Sequence, residues 1–332
     1  MAYPIHRKLV IAVASSALFD LSESHAVYLN EGENEYRKYQ RKHINNTLNK
    51  GVAFPFIRRF LGINKIYSEE RPVEVVLLSR NDPDTGQRVF NSICSHGLDI
   101  TRAGFLSGKT PYKYIPAFNV SLFLSANDID VRNAIEAGYA AGTVIPTEFE
   151  DDEMDLELRV AFDFDGVVAD DESEKVFQKD ESLDMFQSHE TTYVDVPHNP
   201  GPLWDLFKKL SFLQRIEKKR EAEETNYKRI IRTAVVTARN APAHQRVITT
   251  LNNWGVTPDE TFFLGGVDKH RILEVMKPHI FFDDQLRHIT SAAGNIPSVH
   301  IPFGIRNVPA NKALKAASNN DVTKNISKCV SK

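Results

Sequence analysis

Val160-Ala161-Phe162-Asp163-Phe164-Asp165-Gly166-Val167-Val168 decides how this chain is read. Leu158, Val160 and Phe162 are apolar or strand-forming, and the run stops at two acids and a glycine, so it predicts a buried β-strand that ends in a turn. Side chains alternate along a strand, which aims Asp163 and Asp165 the same way where the strand ends. Open α/β sheets take ligands just beyond the carboxyl ends of their strands. Two carboxylates at such a point repel unless a cation or a proton lies between them. An Asp-x-Asp pair that merely forms a turn is the competing reading, and the downstream sequence bears on it.

Three further apolar runs follow. Thr233 to Val236 closes on the hydroxyl of Thr237, followed by Ala238 and Arg239. Phe262-Phe263-Leu264 leads through Gly265 and Gly266 to Lys269, and Pro278 to Phe282 ends in Asp283-Asp284. Asp, Thr, Lys and Asp-Asp, in that order and each at or just after a strand end, resemble the four motifs of the haloacid dehalogenase (HAD) superfamily of phosphohydrolases. The resemblance narrows to the type I cytosolic 5'-nucleotidases. It is carried by Ala161-Phe162-Asp163 through Asp170-Asp171-Glu172-Ser173-Glu174, by Val236-Thr237-Ala238-Arg239 and by His279-Ile280-Phe281-Phe282-Asp283-Asp284-Gln285. Ile11-Ala12-Val13, Tyr36-Arg37-Lys38-Tyr39-Gln40 and Ala53-Phe54-Pro55-Phe56 resemble the amino-terminal region of the same family, so the similarity spans about residues 8 to 305.

The resemblance implies an α/β fold: a HAD-like, Rossmann-type parallel sheet over residues 155–310, with a cap inserted at about 170–230. It also implies a Mg²⁺-dependent 5'-nucleotidase that hydrolyses nucleoside 5'-monophosphates, AMP or deoxynucleotides first, through an aspartyl-phosphate. Hard oxygen ligands suit Mg²⁺. On this reading one Asp163 oxygen, the Asp165 backbone carbonyl and the Asp284 carboxylate hold the metal, and Asp283 is the neighbouring or alternative ligand. Asp163 is the nucleophile, and Asp165 gives and takes the proton. Thr237, Ala238 and Lys269 bind the phosphoryl oxygens. Ser173, Phe177 and Arg239 are candidate substrate or cap residues. Asp171, Glu172 and Ser173 either touch the nucleoside or cap a helix. Phe177, Phe186 and Trp204 either stack on a base or pack the cap on the core.

The chain also repeats itself. A shift of 158 places Ser79 on Thr237, Gln87-Arg88 on Gln245-Arg246 and Phe123 on Phe281. Shifts of 149 and 150 place Ala12 on Ala161, Glu23-Ser24 on Glu172-Ser173 and Gly51 on Gly201. The expectation is that residues 1–150 are a degenerate HAD-like copy, with Ala14 and Ser16 where Asp163 and Asp165 stand and Ser125-Ala126 in place of Asp283-Asp284. Pro111 falls on Lys269, with Lys109 and Lys113 nearby. Val131 to Ala141 reads as a helix, and Glu148 to Glu153 as a solvated acidic connector. The charged run Ile216 to Lys228 reads as a highly charged helix with a solvated face.

Composition bounds the rest. With 332 residues, 42% hydrophobic and 26% charged, the chain has the make-up of a globular protein long enough for two domains. A net charge of −3 leaves no overall cationic field for nucleic acid. Two cysteines, Cys94 and Cys329, give no disulfide framework, and this favours a reducing, cytoplasmic setting. His6-Arg7-Lys8 before Leu9–Phe19 has the charge and length of a signal peptide, but the repeat favours a first strand. No run approaches a membrane span of roughly 18 apolar residues, so no membrane is expected, and the family resemblance implies a homo-oligomer. The Lys- and Asn-rich stretch 311–332 reads as a flexible tail. A phosphatase for another small ester and a non-catalytic nucleotide-binding regulator are the alternative functions.

Overall fold

The structure, a computed structural model, describes residues 3–180 and 182–308; the expected tail at 311–332 lies outside the described residues. Ten strands join in one sheet among them: β1 (Leu9–Val13), β2 (Val73–Ser79), β3 (Arg102–Phe105), β4 (Val120–Ser125), β5 (Ala141–Val144), β6 (Leu158–Phe162), β7 (Ile231–Thr237), β8 (Glu260–Phe263), β9 (Ile280–Asp283) and β10 (Ser298–His300). Their order is β3-β2-β1-β4-β5-β10-β9-β6-β7-β8. Every neighbouring pair is parallel except β5 and β10, which meet antiparallel through Val144–Val299 and Thr143–His300. Counted outward from that seam, the order is 5-4-1-2-3 on one side and 10-9-6-7-8 on the other. Leu9–Val13, the stretch with signal-like features, is therefore a wholly buried central strand.

The helices cover both faces. Between β1 and β2 run α1 (Ser15–Leu18), α2 (Ser22–Glu31), α3 (Glu33–Lys42) and α4 (Phe54–Ile66). The loops before β3 and β5 carry α5 (Pro83–Ser95) and α6 (Asp128–Glu136). The second half repeats this with α7 (Glu172–Asp180), α8 (Leu183–Thr192) and α9 (Trp204–Glu223), then α10 (His244–Asn253), α11 (His270–Met276) and α12 (Leu286–Ala292). On one face α4 lies over β6 and α9 over β4, so each half lends a helix to the other. Phe56, Phe60, Phe162, Phe207 and Phe282 fill this shared core, and Phe56 meets Phe282 edge-on with ring centroids 6.4 Å apart. On the opposite face each half keeps its own cluster, around Val10, Ala12 and Phe123 in one and Ala161, Val236 and Phe281 in the other.

Loop bonds recur at positions related by the sequence shifts of 149 and 158. Ala14 N donates to Leu124 O and Asp163 N to Phe282 O, both at 2.8 Å. Lone bridges Phe19–Lys50 and Ala169–Pro200 close the two helical insertions.

Three local expectations change. The helix expected to reach Ala141 stops at Glu136, because Gly138 (φ +84°) turns the chain into β5. The acidic connector is docked: the Asp151 side chain is buried and receives Arg59 Nη1 at 2.6 Å and Arg58 Nη2 at 3.2 Å. The charged run from Ile216 is the outer part of α9, whose Leu206, Phe207, Leu210 and Leu213 belong to the core. Of the segment expected as a cap, α9 is thus a layer of the sheet, and the helical pair α7–α8 remains. No helix among the described residues is long and apolar enough to cross a membrane.

At the seam a Cβ on Gly142 would lie 2.3 Å from Val299 Cγ1 and 2.9 Å from Ile301 Cδ1. Gly142→Ala is therefore expected to lower the unfolding free energy by about 1–3 kcal/mol, the usual cost of overpacking. Chemical denaturation measures this, and an unchanged midpoint would mean that the seam gives way freely.

Candidate active site

β6 ends beside β7 and β9, so the loops after these three strands meet at one edge of the sheet. Asp163 is buried, with Phe164 N at 2.7 Å and Lys269 Nζ at 2.8 Å, both on Oδ1. Those two contacts leave Oδ2 outside them. Lys269, just before α11, is buried as well and bridges to Asp283 Oδ2 at 2.7 Å. Asp283 further accepts Gln285 N at 2.8 Å and faces His288 Nδ1 at 3.1 Å. Thr237 ends β7, and its Oγ1 accepts the Arg239 amide at 3.3 Å; the next residue, Ala238, is exposed.

Asp284 differs from its neighbour. Its backbone carbonyl faces His300 Nε2 at 3.0 Å and accepts Asn307 Nδ2 at 2.9 Å, but its buried Oδ1 has no hydrogen-bond partner among the described residues. Gly166 (φ +72°) makes room for it, since a Cβ there would stand 2.7 Å from Asp284 Oδ2.

Three buried carboxylates, Asp163, Asp283 and Asp284, thus surround one ammonium, which leaves two negative charges unbalanced if all are ionised. Burial is the main cause that pushes the Asp284 carboxyl up to about 9, and Asp163 and Asp283 push it further the same way. Burial likewise lifts Asp163 to about 6 against the pull of Lys269. Burial also works on Asp283, but Lys269 and His288 outweigh it and hold that group below its usual range. Burial would lower Lys269, yet Asp163 and Asp283 keep it above its ordinary value. An unpaired buried carboxylate beside a second one is the donor set a hard divalent cation satisfies, so the residues fit Mg²⁺. Asp163, Asp283 and His288 also bring ligand atoms within 4.8 Å of one another. In that trio Asp283 is already engaged by Lys269, and this favours Asp284 as the open ligand.

A second charged cluster adjoins the first. Arg239 is buried and grips Asp165 through Nε at 2.8 Å and Nη2 at 2.6 Å. The same guanidinium bonds Glu190 through Nη1 and Ser173 Oγ at 2.8 Å through Nη2. Glu190, on α8, also takes Ser173 Oγ at 2.7 Å and Arg246 Nη1 at 3.0 Å. Burial acts against the Glu190 charge, but His198 and Arg239 hold the group far below the usual carboxylate range. Ser173 and Arg239 therefore tie α7 and α8 to Asp165. Phe177 and Phe186 pack edge-on at 6.4 Å, with the Arg239 guanidinium 5.4 Å from the Phe186 ring. Trp204 packs against Trp254 at 4.3 Å. Asp171 accepts the Ile305 amide at 2.8 Å and Lys175 at 2.7 Å, a structural engagement.

Glu190, His198 and His288 were not singled out in the sequence, and Arg246 stood there only as a marker of the repeat. A shift of 150 sets Gln40 against Glu190 and Leu48 against His198, and this exchange of neutral for charged residues is the linear signal that marks two of them.

A family model described as 5'-nucleotidase matches residues 1–308. Human cytosolic 5'-nucleotidase 1B is 37% identical over 290 residues, 86% of this chain and 47% of that protein. The chain thus spans about half the length of that curated relative. No solved structure matched.

Gly166→Ala tests the space around Asp284. It forces a Cβ into that carboxylate and puts an L-residue at φ +72°, so stability should fall by about 1–3 kcal/mol. A thermal midpoint equal to that of the unmodified chain would show that Asp284 moves aside without cost.

Proposed function

Because the chain belongs to the 5'-nucleotidase family, in line with its type I cytosolic resemblance, we propose that it hydrolyses nucleoside 5'-monophosphates to nucleoside and phosphate at the edge where β6, β7 and β9 end. The observation that carries this reading is the buried Asp284 Oδ1, without a hydrogen-bond partner among the described residues, beside Asp163 and the Lys269 bridge. Asp163, Asp284 and the Asp165 carbonyl would hold Mg²⁺, which neutralises charge where an anionic nucleophile meets an anionic ester.

Asp163 attacks phosphorus through Oδ2, the oxygen that Lys269 and Phe164 N leave open. The bond to the 5'-oxygen breaks as an aspartyl-phosphate forms. Asp165, freed at one oxygen from Arg239 and protonated there from solvent, gives that proton to the leaving oxygen and then takes one from the water that releases phosphate. To do so Asp165 exchanges one of its two Arg239 bonds for the leaving oxygen. Lys269 fixes the Asp163 rotamer and screens the attack, while the Thr237 hydroxyl and the exposed Ala238 amide receive the phosphoryl oxygens. AMP and deoxynucleoside monophosphates are the first substrates to try, and a cytoplasmic homo-oligomer is part of the same reading.

Residues 1–150 are, on this proposal, a degenerate copy that has lost the chemistry. The matching strand orders and loop hydrogen bonds support it, as does the end of β1. There Ala14 lies next to the end of β4, and Ser15 Oγ lies 2.9 Å from Ser79 Oγ. No carboxylate stands at Ala14, Ser16, Ser125 or Ala126.

Two measurements test the chemistry. Phosphate release from a panel of nucleoside and sugar monophosphates, with and without Mg²⁺, should favour nucleotides and vanish under chelation; turnover confined to sugar phosphates would select the other reading. Asp163→Asn should cut turnover by roughly three orders of magnitude or more while the fold persists, and retention of a tenth of the activity would remove Asp163 as nucleophile. For the metal, Asp284→Ala should raise the Mg²⁺ concentration for half-activity more than Asp283→Ala does. Superimposable titrations would end the preference for Asp284.

A further inference from the structure

Behind Arg239 lies a group of side chains that the proposed hydrolysis does not use. His198 is fully buried, and its Nδ1 has no hydrogen-bond partner among the described residues. That nitrogen points at Asp170 Oδ1 and Glu172 Oε2, each 3.8 Å away; Asp170 Oδ1 is likewise without a partner among those residues, while Glu172 Oε2 also accepts Arg246 Nη2 at 3.0 Å. A separation of 3.8 Å is too long for a hydrogen bond. It suits donors that share one ion at about 2.0–2.2 Å from each. On the far side of the ring, Nε2 faces Glu190 Oε2 at 3.4 Å and Arg239 Nη2 at 3.2 Å. A carboxylate behind the imidazole is the arrangement that orients metal-bound histidines.

The charges point the same way. Asp165, Asp170, Glu172 and Glu190 form one connected cluster, and the guanidinium groups in it are Arg239 and Arg246. With all four carboxylates ionised, the two guanidinium groups leave two negative charges, one divalent cation's worth; the proton that Asp165 takes up for the hydrolysis reduces this to one. His189, which faces Glu190 at 3.2 Å and Glu172 at 3.6 Å, and His198 are the imidazoles that protons would otherwise have to charge.

The first half supplies an internal comparison. Leu48 occupies the place of His198, with its amide bonded to Ser92 Oγ at 3.0 Å where that of His198 meets Thr250 Oγ1 at 3.1 Å. Asp20, opposite Asp170, accepts the Ser22 amide at 2.9 Å. The backbone geometry is therefore kept without the imidazole, so the fold does not require His198.

We propose that Asp170, Glu172 and His198 form a second metal site, distinct from the Asp163–Asp284 site, that takes a first-row divalent cation. One imidazole nitrogen with two carboxylates selects Zn²⁺ or Mn²⁺ over the all-oxygen preference of Mg²⁺. Asp170 and Glu172 are partly exposed and give the ion its entry route from solvent. The bound ion fixes the start of α7 against the loop that carries His198.

Leu48 recommends His198→Leu as the variant. Zn²⁺ and Mn²⁺ stoichiometry of the full chain, measured by equilibrium dialysis in excess Mg²⁺, should fall by one per chain in His198→Leu and in Asp170→Asn. Glu190→Gln, which keeps the shape, should weaken that site by about 10–100-fold. In ¹⁵N-histidine spectra, saturating Zn²⁺ should leave His198 with a single ring proton, on Nε2. Equal stoichiometry in the unmodified chain and Asp170→Asn, or a doubly protonated His198 in saturating Zn²⁺, would overturn the site and leave an imidazolium among carboxylates.

Discussion

Two residue pairs, Val144–Val299 and Thr143–His300, turn two parallel sheets into one. The antiparallel pairing at this seam reverses one half relative to the other. It follows that the strand ends carrying Asp163 and those carrying Ala14 and Ser79 lie on opposite edges of the sheet. The seam also reaches the acids, for His300 sits in β10 and its Nε2 faces the Asp284 carbonyl. Gly142 permits the close approach. With the halves so joined, α4 and α9 cross over the seam, and the phenylalanine core beneath them belongs to both halves.

Charge is the second constraint. Burying Asp163, Asp283 and Asp284 around one lysine is unfavourable for the protein alone, and burial together with mutual repulsion drives Asp284 far from its ordinary titration range. Such a cluster is kept where a cation offsets it. The neighbouring cluster solves the same problem with guanidinium groups: Arg239 spans Asp165 and Glu190, and Arg246 spans Glu190 and Glu172. At the corresponding positions of the first half, Ser16, Gln40 and Leu48 replace Asp165, Glu190 and His198, while Arg88 still donates to Gln40 at 3.3 Å. Neutral residues fill the same frame in the first half.

Much of this was legible in the sequence because strand-end chemistry is local. An apolar run that stops at an acid, a hydroxyl or a lysine announces its position, and Asp163, Thr237, Lys269 and Asp283 all stand where such runs led. The repeat was legible for the same reason, since its markers sit in strands and turns. What escaped was long-range. Glu190 and His198 lie close together in the chain, but Arg246 and Arg239 come from about fifty residues further on, and nothing in their flanking residues signals that they meet. The docking of Asp151 on Arg58 and Arg59 was hidden likewise, because an acidic run reads as solvated until its partner's place is known. The charged face of α9 concealed a buried one, since a twenty-residue helix at the edge of a layer satisfies both solvent and core.

The shared core also sets what selection can discard. Neither half closes its own phenylalanine layer, so removing residues 9–144 would bare Phe162, Phe207 and Phe282. The first half thus serves as a wall for the second. Its surface residues are free to drift toward any use that leaves the wall standing, whereas Phe56 and Phe60 stay bound to the fate of the other half's acids.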